Sequence, residues 1–248
     1  MSTLVRDFGP VAKFYPGRIP YAPGFFPALA DLFGLSNESF VLDLACGTGE
    51  LAVGLAPYCG SVLGVDRSAE MLAMRRSLPA NVRFMTAELN SGTLQIPQPA
   101  DLVTIGRALH YLKPETLLPF LQSSTKPSAS ILICNSRIRR STPWVEDYNR
   151  LIASYVERIK HPDFYGRGFF AGSGWVPARQ PRAACTIRCS VNDVLFHTLS
   201  FPRYADVLLK HEREFSDRLS ALLKPYCVSG DQVDVEIVSE GVAYSRSP

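Results

Sequence analysis

Val41-Leu42-Asp43-Leu44-Ala45-Cys46-Gly47-Thr48-Gly49-Glu50-Leu51-Ala52 decides how this chain is built. An apolar run of strand length, Phe40–Leu44, stops at two glycines one residue apart. Helical spacing follows, with Leu51, Ala52, Leu55 and Ala56 on one side of Glu50–Pro57. Strand, glycine turn and helix in that order let a backbone approach a ligand closely. A second apolar run, Ser61–Val65, ends in Asp66, 19 residues beyond Gly47. A carboxylate at the end of the next strand can accept both hydroxyls of a ribose.

Outward from this turn the pattern repeats. Ser68 is an N-cap for a helix to Ser77, with Met71 and Leu72 on its buried face. Strands are expected at Asn81–Thr86, Ala100–Ile105 and Ser130–Cys134, and helices at Pro27–Leu35 and Pro114–Gln122. Alternating strands and helices predict an α/β fold with a parallel sheet covered on both faces. Beyond Asn135 the pattern changes. Eight aromatics lie between Trp144 and Trp175, in a chain that is 10% aromatic. A helix is expected at Trp144–Ile159, a strand at Thr186–Phe196, a long amphipathic helix at Arg203–Leu223 and a last strand at Val233–Ser245.

Composition narrows the function. The 248 residues are 46% hydrophobic with a formal charge of +3, and no long basic run appears, so nucleic acid is not an expected partner. No stretch approaches 18 apolar residues, and no apolar h-region follows the N-terminus. The expectation is a cytoplasmic protein, monomeric or homodimeric, acting on a small molecule. The six cysteines form no CxxC and lack a histidine at zinc-ligand spacing, so reduced thiols and no metal are expected.

A dinucleotide and S-adenosylmethionine both suit a glycine turn followed by a ribose acid. Asp43 separates them. A pyrophosphate gains nothing from a carboxylate within the first strand, whereas a ligand bearing an ammonium and a sulfonium does. At this point the sequence resembles a family. Val41–Gly49 looks like the first motif of class I S-adenosylmethionine-dependent methyltransferases. Val62-Leu63-Gly64-Val65-Asp66-Arg67-Ser68-Ala69-Glu70-Met71-Leu72 looks like the second. Phe84-Met85-Thr86-Ala87-Glu88 resembles the third. Asp101-Leu102-Val103-Thr104 with Ala108-Leu109-His110-Tyr111-Leu112 resembles the fourth strand and its exit. Within the superfamily the likeness is to the branch that methylates small molecules, which includes trans-aconitate methyltransferases.

The resemblance implies a Rossmann-like sheet of seven mostly parallel strands with an antiparallel last strand. It implies S-adenosylmethionine as cofactor. Asp43, Gly47 and Gly49 would hold its methionine end, Asp66 its ribose, and Ala87 and Glu88 its adenine. Ala45, Met71 and Arg107 complete the implied set. Arg67 departs from the usual apolar residue after the ribose acid, and a guanidinium there could stack on adenine. Tyr15-Pro16-Gly17-Arg18 with Pro20 and Tyr21 is similar to an arm that closes over the cofactor in this branch, where Arg18 would meet the carboxylate. The implied division is an arm at 1–27, a core at 28–138 and 186–248, and an inserted aromatic cap at 139–185.

The acceptor belongs beyond the strand ends. His110, at the fourth exit, is the expected base, with His161 a second candidate. Tyr21, Tyr111, Arg137, Trp144, Tyr148, Tyr165, Phe169 and Phe170 are the expected acceptor contacts, and Phe164 and Trp175 lie in the same aromatic stretch. The expected reaction is methyl transfer to oxygen or nitrogen of a carboxylate or of a phenolic or heterocyclic compound; carbon and sulfur acceptors stay open. A nicotinamide oxidoreductase and a non-methylating S-adenosylmethionine-binding protein are the alternatives.

Overall fold

The structure is a computed structural model and describes residues 8–75, 77–157 and 165–247. His161 and Phe164 lie outside the described residues. A 3-10 helix, Gly9–Gly17, precedes α1 (Phe25–Phe33), β1 (Phe40–Leu44), α2 (Glu50–Leu55), β2 (Ser61–Asp66), α3 (Ala69–Ala73) and β3 (Val82–Thr86). Then come β4 (Ala100–Gly106), α4 (Pro114–Ser124), β5 (Thr125–Ile138) and α5 (Val145–Ala153). The chain continues through β6 (Trp175–Arg179), β7 (Arg182–Ser190), α6 (Val191–Leu199), α7 (Pro202–Leu208), α8 (Glu212–Leu223), β8 (Cys227–Ser229) and β9 (Gln232–Arg246).

The sheet runs β3-β2-β1-β4-β5-β9-β6. Its first five strands are parallel, and β9 is antiparallel to β5. All five residues of β1 are buried, as a central parallel strand requires. Nine strands form where the sequence suggested seven, because β9 is long enough to pair twice along one edge. β7 takes Gln232–Glu240 and β6 takes Ala243–Arg246, with the break at Gln180–Pro181. β8 adds a short hairpin strand against the start of β9. β6 and the start of β7, both within the stretch expected to be a cap, therefore belong to the sheet.

Strand alternation splits the apolar residues between two faces. Val41, Val62, Leu102 and Leu132 pack with Phe25 and Leu29 of α1 and Leu51 and Leu55 of α2. Leu42, Leu44, Ile105 and Ile133 pack with Leu117 and Leu121 of α4. A third cluster joins the N-terminal arm, α5, α6, α7 and α8 to Val233, Val235 and Ile237 of β9. The arm's 3-10 helix, Gly9–Gly17, packs against both α6 and α3.

Two elements differ from expectation. The strand expected over Thr186–Phe196 ends at Ser190, and α6 begins. Ser190 Oγ accepts from Asp193 N at 3.0 Å, while Asp193 Oδ2 accepts from Ser190 N at 2.8 Å. This reciprocal capping box starts a helix where alternating apolar residues suggested a strand. The long helix expected from Arg203 is two helices, α7 and α8, joined by a 3-10 turn at Leu209–His211. Among the described residues, no helix is long and apolar enough to cross a membrane.

Candidate active site

The strand order reverses between β1 and β4, and the crevice there opens at the carboxyl ends of both strands. The loop leaving β1 is conformationally demanding. Ala45, Gly47 and Gly49 have φ of 53°, 56° and 75°, a region that side chains other than glycine enter at a cost. Cys46 N donates to Val65 O at 3.0 Å and Arg75 Nε donates to Thr48 O at 3.1 Å, so the loop is tied to β2 and to the end of α3. Gly47 faces Met71, whose Cε would lie 3.3 Å from any added Cβ.

Two carboxylates frame this loop. Asp66 Oδ2 accepts from Gly47 N at 2.7 Å, and its Oδ1 accepts from Ser68 N at 2.9 Å. Among the described residues no cation lies within ion-pair distance of Asp66. Each oxygen thus keeps acceptor capacity for hydroxyl donors. Asp43 is 1% exposed. It accepts from Thr104 Oγ1 at 2.7 Å and from Ala52 N at 3.1 Å. Burial pushes its pKa from the ordinary carboxyl value of 3.8 up to about 7, against the opposing effect of those two hydrogen bonds.

A raised carboxyl pKa means that folding favours the protonated form. Asp43 therefore supports the unliganded fold best below pH 3.8, and that support is lost as pH rises through 7. Asp43→Asn can keep both hydrogen bonds, with its oxygen toward Ala52 N and its amide toward Thr104. At pH 8 the unliganded variant should be more stable than the parent by about 1–2 kcal/mol, and the gap should narrow toward pH 4. Denaturant unfolding at the two pH values checks this; an equal gap at both would contradict it.

The arm closes the crevice from the other side. Glu50, the first residue of α2, accepts from Tyr21 N at 2.5 Å through Oε1 and lies 3.3 Å from Arg107 Nη1 through Oε2. Arg107, at the exit of β4, also donates from Nη2 to Ile19 O at 2.7 Å and stacks on the Tyr21 ring at 4.4 Å. Arg18 donates to Ser200 Oγ at 3.0 Å and lies 3.7 Å from the Phe201 ring centre. Burial, with Arg107 nearby, lowers the pKa of Arg18. His197 Nδ1 accepts from Ile19 N at 3.1 Å, and burial keeps this histidine well below its usual pKa and neutral.

Known proteins resemble this chain in sequence and in fold. Residues 41–126 match the methyltransferase domain family. An uncharacterised methyltransferase of Schizosaccharomyces pombe is 26% identical over 239 residues, covering 95% of this chain and 94% of that one. Together these findings support the class I S-adenosylmethionine-dependent methyltransferase superfamily. A trans-aconitate 2-methyltransferase of Azoarcus sp. is 32% identical over 121 residues, covering 44% of this methyltransferase and 47% of the relative. In fold, this methyltransferase is similar to a candidate type II methyltransferase of Anaeromyxobacter dehalogenans, with a TM-score of 0.68 at 15% identity over 92% and 97% of the chains. It is also similar to a Geobacter sulfurreducens S-adenosylmethionine-dependent methyltransferase bound to S-adenosylhomocysteine, with a TM-score of 0.52 at 18% identity over 92% of each chain. The nicotinamide alternative is not favoured.

The methyltransferase brings several sequence candidates together. Asp43, Ala45, Gly47, Gly49, Asp66 and Met71 surround one loop. Ala87 N donates to Asp66 O at 2.9 Å, which sets the β3 exit beside the end of β2. Glu88 accepts from Asn90 N and pairs with Arg67 at 3.6 Å, with both side chains well exposed. Tyr111 stands at the β4 exit, edge-on to Phe8 at 5.5 Å. His110 is exposed on the same turn, 3.9 Å from the Tyr111 ring centre.

Other candidates have different work. Trp144 and Tyr148 are 1% and 5% exposed within the helical cluster. Trp144 Nε1 donates to Asp234 O, and the Tyr148 hydroxyl shares a hydrogen bond with Thr198. The structure corrects their expected acceptor role to packing, because α5 turns them toward α6 and β9. Phe170 is 2% exposed against Tyr244, and Tyr21 is 4% exposed with its hydroxyl over Gly106, so both are buried. Phe169 is partly buried beside Phe170. Arg137 and the Tyr165 hydroxyl both bind Glu240 Oε1, at 2.9 and 3.0 Å. Burial, then the Glu240 charge, pushes the Tyr165 hydroxyl pKa up to about 12. Sequence reasoning missed Glu50, Thr104 and Phe84. A charged residue directly after the second glycine was the one signal on offer, for Glu50.

Proposed function

We propose that this methyltransferase carries a methyl group from S-adenosylmethionine to an oxygen or nitrogen of a small molecule held under the N-terminal arm. The donor set fits the cofactor. Asp66 offers acceptor capacity to ribose hydroxyls, Asp43 offers buried negative charge near the methionine end, and Gly47 and Gly49 leave backbone unobstructed. Arg18, which has no carboxylate partner among the described residues, suits the methionine carboxylate. When bound, the cofactor supplies an electrophilic methyl on a sulfonium.

The protein's part is alignment and exclusion of water. Orientation of two reactants can contribute on the order of 7–11 kcal/mol. The docked arm supports a small acceptor over a macromolecule, because it covers the carboxyl edge of β4 and β5. It is held there by Ser136 Oγ donating to Pro20 O at 2.6 Å and by Ala22 N donating to Ser239 Oγ at 2.7 Å. The helices after residue 139 cap the arm. The Azoarcus relative's name makes an organic acid the first acceptor class to try, and phenols the second. A carboxylate acceptor is already ionised at neutral pH, whereas a phenol needs a base. His110, at the β4 exit, would serve as that base.

The test is incubation with S-adenosylmethionine and a panel of carboxylic acids and phenols, read by mass spectrometry for a gain of one methyl. Macromolecular acceptors alone gaining the methyl would overturn the reading. If His110 is the base, His110→Ala should lower turnover about 100-fold on a phenol while S-adenosylhomocysteine affinity changes little. Equal losses in both would count against His110 as the base.

A further inference from the structure

Residues 19–22 of the arm are held by five side chains from five parts of the fold. Ile19 N donates to His197 of α6, and Ile19 O accepts from Arg107 at the β4 exit. Pro20 O accepts from Ser136 of β5, Tyr21 N donates to Glu50 of α2, and Ala22 N donates to Ser239 of β9. Each is a contact between a side chain of the core and backbone of the arm. The arm adds no strand to the sheet, so these sockets, with the burial of Ile19, Tyr21 and Ala22, hold it in place.

Glu50 differs from the other four. It follows Gly49 directly, where the glycine loop becomes α2, while both its oxygens reach away from that loop. One oxygen takes Tyr21 N and the other pairs with Arg107, which itself grips Ile19 O and the Tyr21 ring. Arg107 has a φ of 60°, a left-handed conformation that is unfavourable for a residue with a Cβ. The Glu50 and Ile19 contacts fix its guanidinium and offset that strain. Two of the five sockets therefore depend on one carboxylate.

We infer that Glu50 is a positioning residue that couples the glycine loop to closure of the arm, and through the arm sets Arg18 over the crevice. The inference rests on the methyltransferase reading. Glu50 touches neither Ile19 N nor Ala22 N, yet both depend on it: when Glu50 lets go, Arg107 is free to leave Ile19 O and the arm lifts as a unit. Cofactor that orders the glycine loop then orders the arm as well.

Hydrogen exchange of the Ile19, Tyr21 and Ala22 amides tests this, with and without S-adenosylhomocysteine, in the parent, Glu50→Gln and Glu50→Ala. Glu50→Gln nearly preserves shape and can still accept from Tyr21 N while losing the charge pair with Arg107. All three amides should exchange at least about tenfold faster in Glu50→Gln, with β1 and β4 amides unchanged. Added S-adenosylhomocysteine should protect the arm in the parent and fail to do so in the variant. Faster exchange at Tyr21 alone, or an arm still protected by S-adenosylhomocysteine in Glu50→Gln, would overturn the coupling. If Glu50→Ala unfolds, Glu50→Gln decides alone. A parent protein that S-adenosylhomocysteine does not protect anywhere would instead count against the methyltransferase reading.

Discussion

Asp66→Ala should bind S-adenosylhomocysteine about 1.5–3 kcal/mol more weakly than the parent, a loss of roughly ten- to over a hundredfold. The size follows from charge-assisted hydrogen bonding to ribose hydroxyls, which is stronger than bonding between neutral groups. A second loss adds to it. The same carboxylate organises the apo site by accepting Gly47 N and Ser68 N, so alanine leaves both amides seeking water and loosens the loop. Asp66→Asn separates the two effects. An amide oxygen can keep one of these bonds, so the loop should remain in place while ribose affinity still falls. Calorimetric titration of both variants checks the point; affinity unchanged in Asp66→Ala would refute the ribose assignment.

Gly49→Val should be worse for the protein. Its φ of 75° strains any residue with a Cβ, and a β-branched one most. A Cβ there would sit 2.1 Å from Cζ of Phe84. The ring also packs over Gly64, where an added Cβ would lie 2.7 Å from Cδ1. Strand register sets this arrangement, since Gly64 is paired with Asp43 on one side and Phe84 on the other. Left-handed strain and overpacking together predict a loss of roughly 2–5 kcal/mol in stability. Cofactor binding should fall with it as the loop is displaced. Thermal unfolding reads the first effect and S-adenosylhomocysteine titration the second. Parent-like values in both would show that the loop tolerates a side chain and that the glycine is not required.

The first half of the fold was legible because its signals are local. The Asp43–Gly49 turn and the Ser68 cap each act within a few residues of themselves, as does the glycine that ends α1. Gly34 ends α1 with a φ of 60°, and Ser68 Oγ accepts from Met71 N at 3.2 Å. The candidate cofactor residues come together for the same reason, since Asp43, Gly47 and Asp66 lie on β1, on its exit loop and at the end of the neighbouring β2. The arm's docking was not. Ile19 meets a histidine 178 positions away and Ala22 a serine 217 away, and neither pairing leaves a periodic trace. The strand expected up to Phe196 gives way to the helix from which His197 holds the arm, because the Ser190–Asp193 box outweighs the alternation around it. Trp144 and Tyr148 misled for a related reason. Aromatic density marks burial, and only tertiary packing decides whether an aromatic residue is buried against a ligand or against its neighbours.

If residues 41–88 build an S-adenosylmethionine site, the purified parent protein must bind the demethylated cofactor and discriminate against a dinucleotide. Calorimetric titration with S-adenosylhomocysteine and, separately, with NADH measures both. Saturable binding of one S-adenosylhomocysteine per chain is expected, weakened in Asp66→Ala, with no saturable binding of NADH. Saturable NADH binding with none for S-adenosylhomocysteine would contradict the assignment of the site.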